Sequence, residues 1–366
     1  MIKRCSKCIL PEDFTGIDFD SHNECNFCKT FHKHIPFGED RLIKYFDNAK
    51  RKKRTYDALV PLSGGKDSTY ILYLATKVYK LNVLAYTYDN GFFSKIAINN
   101  IESAIKKTGV DHIFYKPNER ILRNIYREAL LNSGEICGVC GIGIMNSTQK
   151  ISADWHIPLI LLGHSPLEDN SFTSENIYDS HRLRVITSES GNISKKEFDQ
   201  FLIYPKMNYI NTYFHTLTGK FGKKINPLYF LEVPTDIEIG EIIKREMGWT
   251  DKSDSDFSKH LDCWAEPFTN YVREKRFGHS RRISQLSNMI RLGEITREKA
   301  LEIHEKDHSN TEPLNTEQVL SALNITRDDL NKVFTIPSGK YNAYLSRANK
   351  IFAWVKTQSE ILKGKK

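Results

Sequence analysis

No run of about eighteen apolar residues occurs in the chain, so nothing in it reads as a membrane-spanning helix. No apolar core follows the first methionine either. Met1-Ile2-Lys3-Arg4 leads directly to Cys5, a start without a secretory signal, which sets the expectation of a cytoplasmic protein. The absence of a repeat period removes solenoids and propellers, and no segment announces an RNA-binding module. The spacing G-x-x-x-x-G-K-S/T is missing, which excludes a Walker A loop. What remains is a 366-residue chain, 40% hydrophobic, long enough for an α/β core of about 200 residues with appendages.

Cysteine, by contrast, is present in a pattern. Six of the seven cysteines stand in C-x-x-C pairs, which in a reducing compartment point to metal or redox chemistry rather than structural disulfides. Cys5-x-x-Cys8 and Cys25-x-x-Cys28, separated by sixteen residues, match a four-thiolate tetrahedral zinc site. Closing it would fold residues 1–35, a segment too short for a core of its own. Four thiolates leave no open coordination position, so the expected role is structural. His22, His32 and His34 are surplus to that set and read as surface histidines.

Leu62-Ser63-Gly64-Gly65-Lys66-Asp67-Ser68 follows an apolar run that begins at Ala58 and opens a helix with Ile71, Leu74, Ala75 and Val78 on one face. A strand, a glycine turn and a helix N-terminus together form an anion cradle. Glycines let backbone N–H groups approach an anion, the helix dipole favours negative charge, Lys66 adds a mobile cation, and Ser63 and Ser68 add hydroxyls. The net charge of +8 suits an anionic ligand without choosing among ATP, a nucleotide-sugar and RNA. The densest basic run, Lys50 to Arg54, reads as a solvated face.

Further strands are expected at 83–86, 112–115, 158–162 and 228–231, alternating with helices that include 119–131 and 141–155. This alternation predicts an α/β fold with a doubly wound parallel sheet and ligands at the carboxyl ends of its strands. Two strand ends stand out: Asp89, a candidate acceptor for a ribose hydroxyl or adenine amine, and Gly163-His164. The expected division is a knuckle at 1–35, the α/β domain at 55–250 with an insert at 165–224, and a helical region at 251–366. The insert interleaves Tyr204, Tyr209, Tyr213 and Phe214 with Lys206, Lys220, Lys223 and Lys224, and reads as a folded excursion packed on the sheet. Cys137-x-x-Cys140 and the distant Cys263 cannot fill a tetrahedral site alone. Three thiolates can hold a 4Fe–4S cluster with one open iron; a second metal, a redox disulfide or packed small thiols are the alternatives.

The turn Ser63-Gly64-Gly65-Lys66-Asp67-Ser68 resembles that of the PP-loop ATP pyrophosphatases, which cleave ATP between the α and β phosphates and adenylylate a carbonyl oxygen. Gly163-His164 followed by Asp169 resembles the turn those enzymes use beside the triphosphate, which implies Mg²⁺ at Asp169, with Glu168 as rival, or at Asp67. The order of motifs is more specific still. Cys5-x-x-Cys8-Ile9-Leu10-Pro11, Cys25-Asn26-Phe27-Cys28, the loop from Pro61 to Thr69, Cys137-x-x-Cys140, Phe277-Gly278-His279-Ser280-Arg281 and Arg291-Leu292-Gly293-Glu294-Ile295-Thr296-Arg297-Glu298 together resemble the N-acetyl sugar amidotransferases of the WbpG/PseA kind.

That resemblance implies synthesis of a bacterial surface polysaccharide (LPS O-antigen) or flagellin glycan, in which the acetamido group of a nucleotide-linked sugar becomes an acetamidino group. It also implies ammonia from glutaminase and cyclase-like subunits. Lys66, Asp67 and Asp169 would then be catalytic, and Leu62 to Ser68, Asp89, Gly163 and His164 would hold ATP. Arg281 and Arg282 are candidates for the sugar-nucleotide phosphates, since a guanidinium fork suits phosphate oxygens. Neither a membrane nor nucleic acid is an expected partner. The tRNA-thiolating PP-loop enzymes, which resemble the chain in its C-x-x-C and single later cysteine, are the alternative. A non-catalytic ATP-binding scaffold is the third reading.

Overall fold

Residues 3–14, 16–166, 176–204, 209–251, 262–279, 281–307, 312–337 and 344–347 are described by the computed structural model. Five apolar or edge segments form one parallel sheet: β1 (Ala58–Pro61), β2 (Val83–Tyr88), β3 (Asp111–Tyr115), β4 (Leu159–Leu161) and β5 (Lys223–Ile225), in the order β3-β2-β1-β4-β5. Pairing runs in register from Ala58 opposite Val83 to Pro61 opposite Tyr86, while on the other side Ala58 faces Leu159. The chain therefore reverses direction of growth at β1. In open parallel sheets that switch point, between β1 and β4, leaves a crevice at the carboxyl edge.

Alternate side chains of the central strands feed two cores, as the strand period requires. Ala58, Val60 and Val83 meet helices Glu39–Arg51, Lys66–Tyr73, Lys95–Thr108 and Asp236–Met247 on one face. Leu59, Leu84 and Tyr86 meet Ile151 of helix Cys137–Asp154 on the other. Left-handed glycines stop the helices, Gly109 after Lys95–Thr108 and Gly248 after Asp236–Met247. Among the described residues no helix is long and apolar enough to cross a membrane.

Two sequence expectations are corrected. The segment 228–231 is not a strand: Pro227–Tyr229 is a 3₁₀ turn, and the strand lies earlier, at Lys223–Ile225. Proline has no N–H for the ladder, so pairing ends before Pro227; β5 is an edge strand with two exposed lysines, which hides it from any search for apolar runs. The helix expected from 141 begins at Cys137, so the C-x-x-C forms its first turn. Glu135 Oε1 accepts from Gly138 N at 2.6 Å there, satisfying a free amide of that turn.

The C-terminal helices join two further cores. Glu266–Phe277, Thr316–Leu323 and Arg327–Phe334 pack with helix Glu119–Ser133, whereas Ile283, Leu286, Met289 and Ala300 pack on Ile9, Leu10 and Phe14 of the knuckle. Of the insert, helix Tyr209–Leu217 exposes Tyr213 and Phe214, Phe221 is buried, and Lys206 lies outside the described residues.

Candidate nucleotide site and metal centre

The glycine turn leaves β1 at the switch point, tied to β2 on both sides of its first residue. Leu62 N donates to Tyr86 O at 2.8 Å, and Thr87 Oγ1 donates to Leu62 O at 2.6 Å. Ser68 Oγ accepts from Ser63 N at 3.2 Å and donates to Gly65 O at 3.1 Å, closing the turn on the helix it precedes. Gly64 has φ +77°, and a Cβ there would lie 2.3 Å from the carbonyl oxygen of Ala97. Its own carbonyl accepts from Trp249 Nε1 at 3.0 Å and Asn100 Nδ2 at 3.2 Å. Gly64→Ala is thus expected to cost ~2 kcal/mol or more and to abolish nucleotide binding. Thermal denaturation and equilibrium ATP binding check it; a wild-type midpoint would contradict this account of the turn.

Lys66, the first helical residue, turns inward rather than to solvent. Its Nζ is 2.9 Å from Asp67 Oδ1 and is also ion-paired with Asp236, the first residue of helix Asp236–Met247. Burial works to lower its pKa, but the two carboxylates outweigh burial and hold the ammonium above the usual lysine range. The end of β4 closes against the same turn: a Cβ on Gly163 would be 3.2 Å from Asp67 C and Ser68 N. His164 is exposed and stacks on Tyr229 with ring centroids 6.0 Å apart. Asp89 sits at the end of β2, where its Oδ1 accepts from Gly91 N at 2.9 Å. Leu62 to Ser68 and Gly163 therefore share one edge. Asp169 and Glu168 lie outside the described residues.

Arg282 donates through Nη1 to Gln285 Oε1 at 2.8 Å, one turn on in its own helix; the side chain of Arg281 lies outside the described residues. Two acids that sequence reasoning missed do reach the turn. Asp236 pairs with Lys66, and Asp262 Oδ2 lies 3.7 Å from where a Cβ on Gly65 would be. The only local trace of Asp236 is the capping box Thr235-x-x-Glu238, which puts it in a first turn but gives no direction.

At the other end of the chain Cys5, Cys8, Cys25 and Cys28 bring four sulfurs within 4.8 Å of one another, with Cys5–Cys28 at 3.9 Å and Cys8–Cys25 at 3.8 Å. Metal–sulfur bonds of about 2.3 Å in a tetrahedron put sulfurs about 3.8 Å apart, so the set fits one ion such as zinc. Backbone amides of Lys7, Cys8 and Cys25 all point to Cys5 Sγ at 3.3–3.5 Å. Hydrogen bonding from Cys25, then from Cys28 and Cys8, holds the Cys5 thiol far below its ordinary pKa, which favours the thiolate. The hairpin loop before Cys25 is shaped by Asp20, whose Oδ1 accepts from His22 N and Glu24 N at 2.8 Å each. His22 is exposed, as expected of a surplus histidine, but His34 Nε2 hydrogen-bonds Tyr229 O at 2.9 Å.

Cys263 reaches the C-x-x-C of helix Cys137–Asp154. It bridges to Phe93, and its thiol is pushed up by burial and by Cys140 and Cys137. Cys140 accepts from Asn90 Nδ2 at 3.7 Å, and burial pushes its thiol up to about 12. Among the described residues the knuckle is the one group of three or more potential ligands gathered closely enough to hold a metal ion.

Residues 254–358 match the family model described as "LPS biosynthesis protein WbpG-like, C-terminal domain". An uncharacterised protein of Methanocaldococcus jannaschii is 26% identical over 165 residues, 44% of this chain and 58% of the relative, so the match spans a little over half of the relative's length. The structure of a U34-tRNA thiolase from Methanococcus maripaludis with its 4Fe–4S cluster aligns over 86% of this chain and 91% of that one, at 17% identity and a TM-score of 0.34. Residues 254–358 are thus similar to a WbpG-like C-terminal domain, and they follow a parallel α/β sheet with the cradle turn at its switch point.

Proposed function

We propose that the chain is an ATP-dependent amidotransferase of LPS or related surface-glycan synthesis, which adenylylates the acetamido oxygen of a nucleotide-linked sugar and replaces it with ammonia. The observation that carries the reading is the inward-turned, carboxylate-paired Lys66 at a PP-loop-type turn in a chain with a WbpG-like match. An acetamide is a weak electrophile with a poor leaving group. Attack of its carbonyl oxygen on the α phosphorus forms the O–P bond as pyrophosphate departs, and ammonia then adds to the carbon and expels AMP, leaving an amidine after proton loss.

The residues act on charge and position. Backbone amides of Gly64 and Gly65, the hydroxyls of Ser63 and Ser68 and the Lys66 ammonium receive the leaving pyrophosphate, where fixed donors stabilise developing charge. Asp67 and Asp169 are the oxygen donors suited to Mg²⁺, which when bound offsets the charge of the phosphates. Asp89 and Gly163-His164 flank the nucleoside and phosphates, and Arg282 with Arg281 binds the sugar-nucleotide. The four-thiolate knuckle holds a structural zinc. Glutaminase and cyclase-like subunits supply ammonia in the cytoplasm.

The gathering of Cys137, Cys140 and Cys263 favours a second reading, sulfur transfer to tRNA on the same activated-oxygen logic, because Cys263 follows the Asp262 that lies against Gly65. One assay separates them: AMP release from ATP with UDP-linked acetamido sugars and ammonium, beside unmodified tRNA and sulfide. AMP and an amidine product with sugar and ammonium are expected; AMP only with tRNA would overturn the amidotransferase.

A further inference from the structure

The linker from the knuckle to the α/β domain ends against the 3₁₀ turn Pro227–Tyr229. Phe37 N and His34 Nε2 both hydrogen-bond Tyr229 O at 2.9 Å, so one carbonyl fixes the linker at two points. That anchorage lines up rings. Phe37 stacks on Tyr229 with centroids 6.2 Å apart and planes at 29°, Tyr229 stacks on His164 at 6.0 Å and 25°, and His34 closes edge-on against Phe37 and Tyr229. Offset-stacked and edge-to-face rings at such distances attract through their quadrupoles. One end of the column is capped, because the Arg41 guanidinium lies 5.8 Å from the Phe37 centroid. Among the described residues the other end is His164, which is exposed.

That end stands beside the glycine turn. His164 follows Gly163, where a Cβ would be 3.2 Å from Asp67 C and Ser68 N. The strand order sets β2 with Asp89 on one flank of the turn, and β4 and β5 with the column on the other. One nucleoside cannot occupy both flanks of a single phosphate cradle. With the ATP nucleoside on the β2 flank, the β4 flank is left to the molecule that attacks, whose oxygen approaches the α phosphorus roughly in line with departing pyrophosphate. A nucleotide-linked sugar brings one flat group, its base, and any base has a face that stacks on a ring. We propose that the column is the acceptor's base subsite: the nucleobase of the nucleotide-linked sugar stacks on His164 and extends the series that Arg41 caps at its far end. This rests on the amidotransferase reading and gives its second substrate a place.

The test is equilibrium binding of a UDP-linked acetamido sugar, UDP, dTDP and GDP to the full chain, with ATP titrated separately and thermal midpoints as the folding control. His164→Ala is expected to weaken the nucleotide-sugar about tenfold, the size of one contact between a base and an aromatic ring, and ATP by less. His164→Phe, which keeps a ring, should restore it. Tyr229→Leu keeps the carbonyl that holds Phe37 and His34 but removes the ring behind His164, and should also weaken the nucleotide-sugar. Unchanged affinity in His164→Ala, an equal loss for ATP, or His164→Phe as weak as His164→Ala overturns the inference, and wild-type affinity in Tyr229→Leu overturns the part given to the column. If the wild-type chain binds none of the four, the amidotransferase reading falls and the inference with it; binding with no response to His164→Ala removes the inference alone.

Discussion

Lys66→Ala is expected to lower ATP-dependent AMP formation by on the order of a hundred- to a thousandfold, the range seen when one fixed donor to a developing anion is removed. The loss should fall on turnover more than on ATP affinity. In the resting structure Lys66 is held by Asp67 and Asp236, so part of what it would give to bound ATP is spent on leaving those carboxylates. That cost is the same for ground state and transition state, whereas its contact with departing pyrophosphate grows as the bond breaks. Single-turnover kinetics with a thermal-stability control checks this, because removing the ammonium leaves two carboxylates with one partner fewer. Full turnover in Lys66→Ala would refute the scheme.

The second large effect concerns the knuckle. Cys8→Ser, or removal of metal by a strong chelator, is expected to release zinc and to open helix Arg281–Leu292 together with the knuckle, since Ile9, Leu10 and Phe14 share one core with Ile283, Leu286 and Met289. Binding of structural zinc to a four-ligand site of this kind is worth ~10 kcal/mol or more at neutral pH, which exceeds what so small an apolar cluster supplies by itself. Metal analysis and amide hydrogen exchange measure the two halves. Wild-type protection of Arg281–Leu292 in zinc-free protein would mean that the helix stands without the knuckle.

The parts of this molecule that were legible in the sequence are local in the chain. The cradle turn is seven consecutive residues whose strand, glycines and helix are neighbours, and the knuckle is two short pairs whose spacing carries the ligand geometry. Alternation of apolar strands and amphipathic helices gave the parallel sheet because both faces of its centre are buried. β5 escaped because an edge strand with two lysines has no apolar pattern to show. Asp236 escaped for a different reason: its role is a contact with a residue far away in sequence, and an acid at a helix start looks like ordinary capping. The knuckle's grip on Ser287, 278 positions from Ile9, belongs to the same class. Cys263 was suspected through its isolation, yet its approach to Cys137 and Cys140 required the Phe93 bridge to bring it there.

The central claim is that ATP is used to convert the acetamido oxygen into a leaving group on AMP. Turnover of a UDP-linked acetamido sugar carrying ¹⁸O in its acetamido carbonyl, with ammonium and ATP, tests it most directly by mass spectrometry of the nucleotide product. The account predicts AMP that carries the label, one atom per amidine formed. Unlabelled AMP, or amidine formed without AMP, would contradict it.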